Sequence, residues 1–337
     1  MKIFKFLAGA VIVAAGLTTA FFGAGKISEE KEFASQKHYR GVISVWQIDS
    51  FEGGSGSRKN FLLSTARGFE RENEGVLVMV TEHTAESAEK SMREGSFPDA
   101  VSYGNGTEIT GAKKLSAPFF IGGAVGKDTY AVPWCRGGYC LIANVSVGAR
   151  FNGEFPDLSS ETVIVSQGEY TVPLAALCTE KENPLKIGGL DVLKPMEAYV
   201  KFAEGKTKYF LGTQRDVVRL TNRGFSFEVY PLAGYNDIYQ YISLTSVSDE
   251  KSFYAEKFIN YLLSEKVQES LHKISMFSAF YNVKNDNAAL NLIQNADCKR
   301  TVSAFTSKEE LRNLQNSARG AAAGKEAEYI NLKNMLS

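Results

Sequence analysis

One stretch near the start of the chain constrains the fold most, because it alternates strand, loop, helix and strand. Gly41–Ile48 is rich in β-branched residues, as buried strands are. Asp49–Ser57 holds three glycines, three serines and two carboxylates, and the apolar residues after it recur with a helical period. Gly75 ends that helix, and Val76–Val80 predicts a second strand. Such a βαβ unit predicts an α/β protein whose ligand site lies at the carboxyl ends of its strands.

The first 25 residues differ in composition from the rest of the chain. Lys2 and Lys5 precede an uncharged apolar run, Phe6–Gly25, which is the pattern of an export signal. An uncleaved run of about 20 apolar residues can also cross a bilayer. The lysines favour a body on the extracellular face of the membrane. We therefore expect residues 1–25 to be an export signal or membrane anchor, either cleaved or retained, and residues 26–40 to be a tether.

Composition excludes several classes of protein. A length of 337 residues favours two lobes, and 38 basic against 38 acidic residues leave no net charge. Because no basic cluster occurs, we expect no nucleic-acid partner. The three histidines lack the spacing of a metal site, and we expect no metal and no cofactor. No nucleophile lies in a catalytic motif context, so we expect a protein that is not an enzyme.

Three segments predict the places where the chain passes between lobes, and in the first of them glycines let the backbone bend. Tyr130–Asn144 contains two strands broken by two glycines, Gly234–Asp237 precedes a further strand, and Ile274–Tyr281 predicts a strand or a third crossing. The expected domains are residues 41–144 as the first part of lobe 1, 145–231 as lobe 2, 232–278 as the crossing back to lobe 1, and 279–337 as a C-terminal helical segment that closes the lobes.

Four segments together match the pattern of one protein family. They are VWQIDSFEGGSGSRKNFLLSTARGFERENEGVLVMV, FPDAVSYGNG, YAVPWCRGGYCLIAN and SDEKSFYAEKFINYLLSEKVQESL. In this order they resemble the sugar-binding family of extracellular solute-binding proteins of bacterial ABC importers. The lipobox cysteine common in Gram-positive members is missing.

The resemblance implies a fold and a function. The fold is the two-lobe α/β type 2 periplasmic binding fold, with the ligand cleft between the lobes. The function is capture of a small solute, first of all a carbohydrate, for an ABC permease in the membrane. The alternative is a membrane-anchored sensor that presents the same fold to a signalling partner.

Candidate ligand-binding residues lie near predicted strand ends and crossings. Sugar recognition uses aromatic faces for C–H groups, and carboxylate or guanidinium groups for hydroxyls. The candidates are Trp46, Asp49, Glu52, Tyr103, Trp134, Arg136, Arg215, Tyr235 and Asp237.

Each kind of candidate also has a purely structural interpretation. The aromatic residues could pack in the core, and Asp49 and Glu52 could offset the dipole at a helix N-terminus. Arg136 could form a surface salt bridge. Arg215 could belong, with Arg219, to a solvated helix face.

Overall fold

The computed structural model describes residues 39–181, 183–246 and 248–336. The predicted signal or anchor and nearly all of the predicted tether therefore lie outside the described residues. Within those ranges, no helix is both long enough and apolar enough to cross a bilayer.

The described residues form strands and α-helices in alternation along most of the chain. The strands are β1 Gly41–Ile48, β2 Val76–His83, β3 Ala100–Tyr103, β4 Ala124–Val125, β5 Asp128–Thr129, β6 Val132–Arg136, β7 Tyr139–Asn144, β8 Thr162–Ser166, β9 Gly189–Leu193, β10 Tyr209–Thr213, β11 Phe227–Pro231 and β12 Tyr239–Leu244. The α-helices are α1 Arg58–Glu72, α2 Ala85–Arg93, α3 Pro173–Cys178, α4 Pro195–Ala203, α5 Gln214–Asn222, α6 Asp249–Leu262, α7 Glu265–Glu269, α8 Ala288–Gln294, α9 Lys308–Ala322 and α10 Glu326–Met335. Short 3₁₀ helices occur at Ile121–Gly123, Val145–Val147 and Ser270–Ile274.

Two five-stranded sheets form the centres of two lobes. The first sheet has the order β2-β1-β3-β12-β6, and the second has the order β11-β7-β10-β8-β9. In the first sheet β1 is parallel to β2 and β3, whereas β12 runs antiparallel to its neighbours. In the second sheet β8 is parallel to β9 and β10. The predicted two-lobe α/β fold is confirmed.

The βαβ unit predicted near the start of the chain is β1-α1-β2. Ser57 caps α1, since its Oγ accepts a hydrogen bond from the backbone N–H of Asn60 at 3.2 Å. Helix α1 buries Phe61, Leu62 and Phe69 against the sheet, and full burial of such side chains contributes about 1.5–3 kcal/mol each. Because β1 and β2 are parallel, the residues that follow both strands lie along the same edge of the sheet.

Among the described residues, the chain passes between the two sheets at three places. The first crossing joins β6 to β7, the second joins β11 to β12, and the third follows Phe277, whose backbone exchanges two hydrogen bonds of 2.8 Å with Arg136.

The expected lobe boundary after residue 144 is wrong, because β7 pairs with β10 and β11 in the second sheet. The boundary lies at Gly137 and Gly138 instead. A Cβ on Gly137 would lie 2.6 Å from the Ile238 side chain, so this close approach requires glycine.

The C-terminal helices pack on the second lobe. Helix α8 contacts β11 and α5, and α9 contacts α3 and α10. Ser307 and Glu310 form the predicted capping box of α9, with Ser307 Oγ accepting from Glu310 N–H at 3.2 Å and Glu310 Oε2 accepting from Ser307 N–H at 2.7 Å. The segment before α9 also reaches the first lobe, where Gly106 N–H donates to the Thr306 carbonyl at 3.0 Å.

The glycine loop after β1 is pressed against the third crossing. A Cβ on Gly54 would lie 1.7 Å from the Ile274 carbonyl oxygen, and the adjacent Ser55 and Ser275 hydroxyls are hydrogen-bonded at 2.7 Å. Because backbone must shift to admit a methyl group, we expect Gly54→Ala to lower the free energy of unfolding by about 1–3 kcal/mol in urea titrations. At Gly53 the added Cβ would meet only ordinary contacts, from 3.4 Å outward. Gly53→Ala is therefore the matched control, expected within about 0.5 kcal/mol of the parent. Equal losses in the two variants would contradict this packing.

Candidate functional site

A cavity of about 730 Å³ opens between the two lobes, within the size range of small-ligand sites. The first lobe lines it with the carboxyl ends of β1 and β2 and the start of α2, and the second lobe lines it with the loop after β8. The polar and aromatic residues of the lining are Asp49, Lys59, Thr81, Glu82, His83, Thr84, Glu86, Glu169 and Tyr170. We name this space the interlobe cleft.

Asp49 presents a fixed carboxylate to the interlobe cleft. Its Oδ1 accepts hydrogen bonds from Gln47 Nε2 at 2.8 Å and forms an ion pair with Arg58 Nη2, also at 2.8 Å. The Arg58 side chain is only 3% exposed and is fixed further by donating to the Phe51 carbonyl at 2.5 Å. The Asp49 side chain is 43% exposed. An oriented carboxylate on a cavity wall is an acceptor suited to ligand hydroxyl groups.

His83 and Tyr170 supply aromatic surface on opposite sides of the interlobe cleft. The His83 ring stacks on Trp46, with ring centroids 4.3 Å apart and an angle of 29° between the planes. Burial lowers the pKa of His83, which favours a neutral ring. Tyr170 lies above Gly106, where an added Cβ would be 2.4 Å from its ring. The two rings can therefore contact the apolar faces of a flat ligand.

The charges around the interlobe cleft are largely compensated. Lys59 pairs with Glu82 at 3.2 Å, and Lys308 pairs with Glu169 at 2.5 Å. Together with the Arg58–Asp49 pair, these contacts compensate three of the four carboxylates of the lining, and Glu86 is the fourth. Such a lining suits a ligand rich in hydroxyl groups.

Beside the interlobe cleft, the two lobes approach each other closely at Glu52. Arg215 Nε and Arg219 Nη1 of the second lobe lie 3.3 Å and 3.4 Å from Glu52 Oε2 of the first lobe. The space between Phe51, Glu52 and α5 is about 20 Å³, which admits little more than one water molecule. Burial raises the pKa of Asp216 to about 6, opposed by the hydrogen bond that its carboxylate accepts from Thr213 N–H at 3.0 Å.

Asp237 organises the second crossing from a fully buried position. Its carboxylate accepts hydrogen bonds from Tyr139 Oη at 2.5 Å, Tyr235 Oη at 3.0 Å and Val172 N–H at 2.8 Å. Burial raises its pKa to about 6.

At the first crossing, Arg136 donates to the Ser278 carbonyl at 3.2 Å and to the Gln294 carbonyl at 2.6 Å. Asp237 therefore stabilises the second crossing, and Arg136 stabilises the first.

Three of the predicted site residues lie where the lobes face each other: Asp49 lines the interlobe cleft, and Glu52 and Arg215 form an ion pair between the lobes. The other six predicted site residues do not line this space. Tyr103, Trp134, Tyr235 and Asp237 are at most 1% exposed and are hydrogen-bonded inside the protein, and Arg136 is bound to hinge carbonyls. Trp46 is 8% exposed and lies behind His83. The four aromatic residues among these six therefore pack in the core, whereas Arg136 donates to backbone carbonyls and forms no surface salt bridge, and Asp237 accepts hydrogen bonds from buried donors.

Sequence reasoning missed His83, Glu86 and Tyr170. His83 lies three residues beyond the predicted end of the second strand at Val80, because the strand continues to His83, which pairs in register with Ile48 at the end of β1. Glu86 lies in the first turn of α2, immediately after that strand end. Tyr170 follows β8, whose carboxyl end faces the first lobe, but its loop has no distinctive composition.

Two α/β lobes, three crossings and a cleft between them define a two-lobe α/β architecture among the described residues. No protein-family model matches the chain, and no curated protein matches its sequence. Solved structures do share the fold, which is that of periplasmic solute-binding proteins.

Three of these structures illustrate the likeness. The GacH receptor of Streptomyces glaucescens aligns with a TM-score of 0.60 at 14% identity, over 88% of this chain and 97% of that one. A chitin oligosaccharide binding protein aligns with a TM-score of 0.58 at 12% identity, over 88% and 97% of the two chains. The maltose-maltodextrin binding protein of Alicyclobacillus acidocaldarius aligns with a TM-score of 0.56 at 14% identity, over 88% and 98%. At these identities the likeness is one of fold.

Proposed function

We propose that the protein is an extracytoplasmic solute-binding protein that captures a carbohydrate and delivers it to an ABC permease. The interlobe cleft carries this proposal, because a cavity of about 730 Å³ lies where the ends of parallel strands meet a second lobe. The fold supports it as well, since the proteins that share it include a receptor solved with acarbose, a chitin oligosaccharide binding protein and a maltodextrin binding protein.

The chemistry of the lining suits a saccharide. The oriented Asp49 carboxylate would accept hydrogen bonds from vicinal hydroxyls, while the His83 and Tyr170 rings would cover the C–H faces of the sugar. Tyr170 belongs to the second lobe and His83 to the first, so a bound saccharide contacts both lobes. A ligand that binds the closed arrangement more tightly shifts the population of lobes toward it.

Delivery to a permease requires the protein to work outside the cytoplasm. The predicted export signal or anchor at residues 1–25 would place it there and hold it at the membrane if the segment is retained. A signalling receptor, the alternative raised by the sequence, would use the same cleft, and the described residues supply no separate observation that favours it.

The role of Tyr170 provides a test. Tyr170→Ala removes the aromatic face of the second lobe, and we expect saccharide binding to weaken roughly tenfold or more. The measurement is isothermal titration with maltotriose, diacetylchitobiose and lacto-N-biose, using whichever binds the parent protein. Tyr281→Ala is the matched control, because Tyr281 is 37% exposed and lines a different surface beside Arg136. Unchanged affinity in Tyr170→Ala would remove this residue from the site, and no binding by the parent would contradict the proposed function.

A further inference from the structure

Three arginines converge on the loop that carries Glu52. Arg58 begins α1 in the first lobe, and its guanidinium carbon lies 4.1 Å from the centroid of the Phe51 ring. Arg215 and Arg219 belong to α5 in the second lobe, and both reach the same Glu52 oxygen. The pKa of Arg215 is lowered, chiefly by burial and further by the positive charges of Arg219 and Arg58. The three guanidinium groups therefore lie around the same loop, Phe51–Glu52, where the two lobes meet.

We name Arg58, Arg215 and Arg219 the arginine cluster. Some of its N–H donors have no well-placed acceptor. The contacts of Arg215 and Arg219 with Glu52 are 3.3 Å and 3.4 Å long, whereas charge-assisted hydrogen bonds are typically about 2.7–2.9 Å. Arg219 Nη1 lies 3.4 Å from Glu52 Oε2 and 3.6 Å from Asp216 Oδ1, but it is buried and makes a hydrogen bond to neither carboxylate. Arg58 Nη1 is also buried and has no hydrogen-bond partner among the described residues. A buried donor without an acceptor is unfavourable, so this region accommodates a better-placed acceptor than Glu52 provides.

Glu52 and the two arginines of α5 lie on different lobes. Their contact therefore forms when the lobes are close and breaks when they separate. Glu52 is carried by the loop after β1, whereas Arg215 and Arg219 move with the second sheet. The space left beside them is about 20 Å³, too small for a further anionic group while Glu52 is in place. An anion could enter only by replacing the Glu52 carboxylate when the lobes separate.

We propose that Arg215 and Arg219 form a subsite for an anionic group of the saccharide, and that Glu52 occupies this subsite in the unliganded protein. The inference rests on the proposed function and specifies the substrate class: a saccharide that bears a carboxylate or phosphate group. A planar carboxylate can accept parallel hydrogen bonds from a guanidinium fork, and a phosphate can be held by two guanidinium groups together. The neutral part of the saccharide would occupy the interlobe cleft beside Asp49.

Paired neutral and acidic saccharides test the subsite by isothermal titration of the parent protein. The pairs are maltotriose with trigalacturonate, and glucose with glucose 6-phosphate, so that the carboxylate and phosphate sources are separated. We expect the acidic member of at least one pair to bind roughly tenfold or more tightly than its neutral partner, with an advantage that falls as salt is added. Acidic members that bind no better than neutral ones would overturn the subsite.

Variants identify the groups responsible. Arg215→Gln should weaken binding of the acidic saccharide about tenfold and weaken binding of its neutral partner much less, while Glu52→Gln should strengthen acidic binding by removing the competing carboxylate. Arg223→Gln is the matched control, because Arg223 follows the same helix and is exposed. Arg215→Lys retains the charge and should lose less affinity than Arg215→Gln, which keeps the test valid if the glutamine variant folds poorly.

The outcomes separate the subsite from the proposed function. Binding of neutral saccharides without any preference for acidic ones would leave the proposed function standing and overturn the anionic subsite. An acidic preference that survives in Arg215→Gln and Glu52→Gln would place the anion elsewhere and also overturn it. Failure of every saccharide, neutral and acidic, would contradict the proposed function itself.

Discussion

Replacing Asp237 with alanine is expected to lower the free energy of unfolding at pH 7 by about 2–4 kcal/mol. The Asp237 side chain is buried, and its carboxylate is the shared acceptor for Tyr139, Tyr235 and the Val172 N–H. Its removal leaves three buried donors without that acceptor at the second crossing. Urea unfolding followed by circular dichroism measures the loss.

Two comparisons make the Asp237 prediction specific. Tyr235→Phe removes one of the three hydrogen bonds and should cost about 1–2 kcal/mol. Asp286→Ala removes an exposed aspartate and should change stability by less than about 0.5 kcal/mol. A loss in Asp237→Ala no greater than that in Asp286→Ala would contradict the buried network.

The effect of Asp237→Ala should also depend on pH. Burial raises the pKa of Asp237 to about 6 from an ordinary value of 3.8, so between these values the folded protein binds more protons than the unfolded chain. The contribution of this proton is fully present below the unfolded pKa and is lost as the pH rises through about 6. The difference in stability between parent and Asp237→Ala should therefore be larger at pH 4.5 than at pH 7, by about 1–2 kcal/mol. A difference that grows with pH would contradict this assignment.

Trp134→Ala is expected to lower the free energy of unfolding by about 3–5 kcal/mol, because it empties a large, fully enclosed volume in the first lobe. The Trp134 ring stacks on Phe61 with centroids 5.6 Å apart, and its Nε1 donates to Ser102 Oγ at 2.9 Å. Gln268 Nε2 also donates to the Trp134 carbonyl at 2.9 Å. The residue therefore joins β6 to both α1 and α7.

Stability and binding together decide between the two interpretations of Trp134. Phe119→Ala removes an aromatic ring that is 60% exposed, and it should change stability by less than about 0.5 kcal/mol. If Trp134 belongs to the core, Trp134→Ala has a much lower melting temperature, and the folded fraction retains its saccharide affinity. Normal stability with lost binding would instead show that Trp134 contacts the ligand.

The fold was accessible from the sequence because its strongest signals are local. The β1-α1-β2 unit follows from the change between strand and helix periods, and its observed bounds begin at the predicted residues Gly41, Arg58 and Val76. The lobe boundary was misplaced because β6 and β7 are both almost entirely buried and equally apolar. Nothing in their composition distinguishes one sheet from the other, whereas the hydrogen-bond partners do.

The candidate site was harder to predict from the sequence than the fold. In a buried strand, the sequence does not distinguish an aromatic residue that packs in the core from one that faces a ligand. Trp134 and Tyr241 are buried on strands that have protein on both faces, so the period of two that normally separates core from surface is absent. Asp49, which lines the interlobe cleft, could be proposed because a strand end can be located from sequence alone. Tyr170 reaches the interlobe cleft only through the packing of one lobe on the other, which local patterns do not encode.

The most direct test of saccharide capture is a thermal unfolding panel on the purified protein with neutral and acidic mono-, di- and oligosaccharides, with amino acids and polyamines as comparison solutes. A ligand that binds only the folded state adds about 2.7 kcal/mol of stability at 100 times its Kd. We expect a saturable rise in melting temperature with at least one saccharide, and a smaller rise in Tyr170→Ala. No rise with any saccharide at millimolar concentration, or a rise with amino acids or polyamines alone, would contradict saccharide capture.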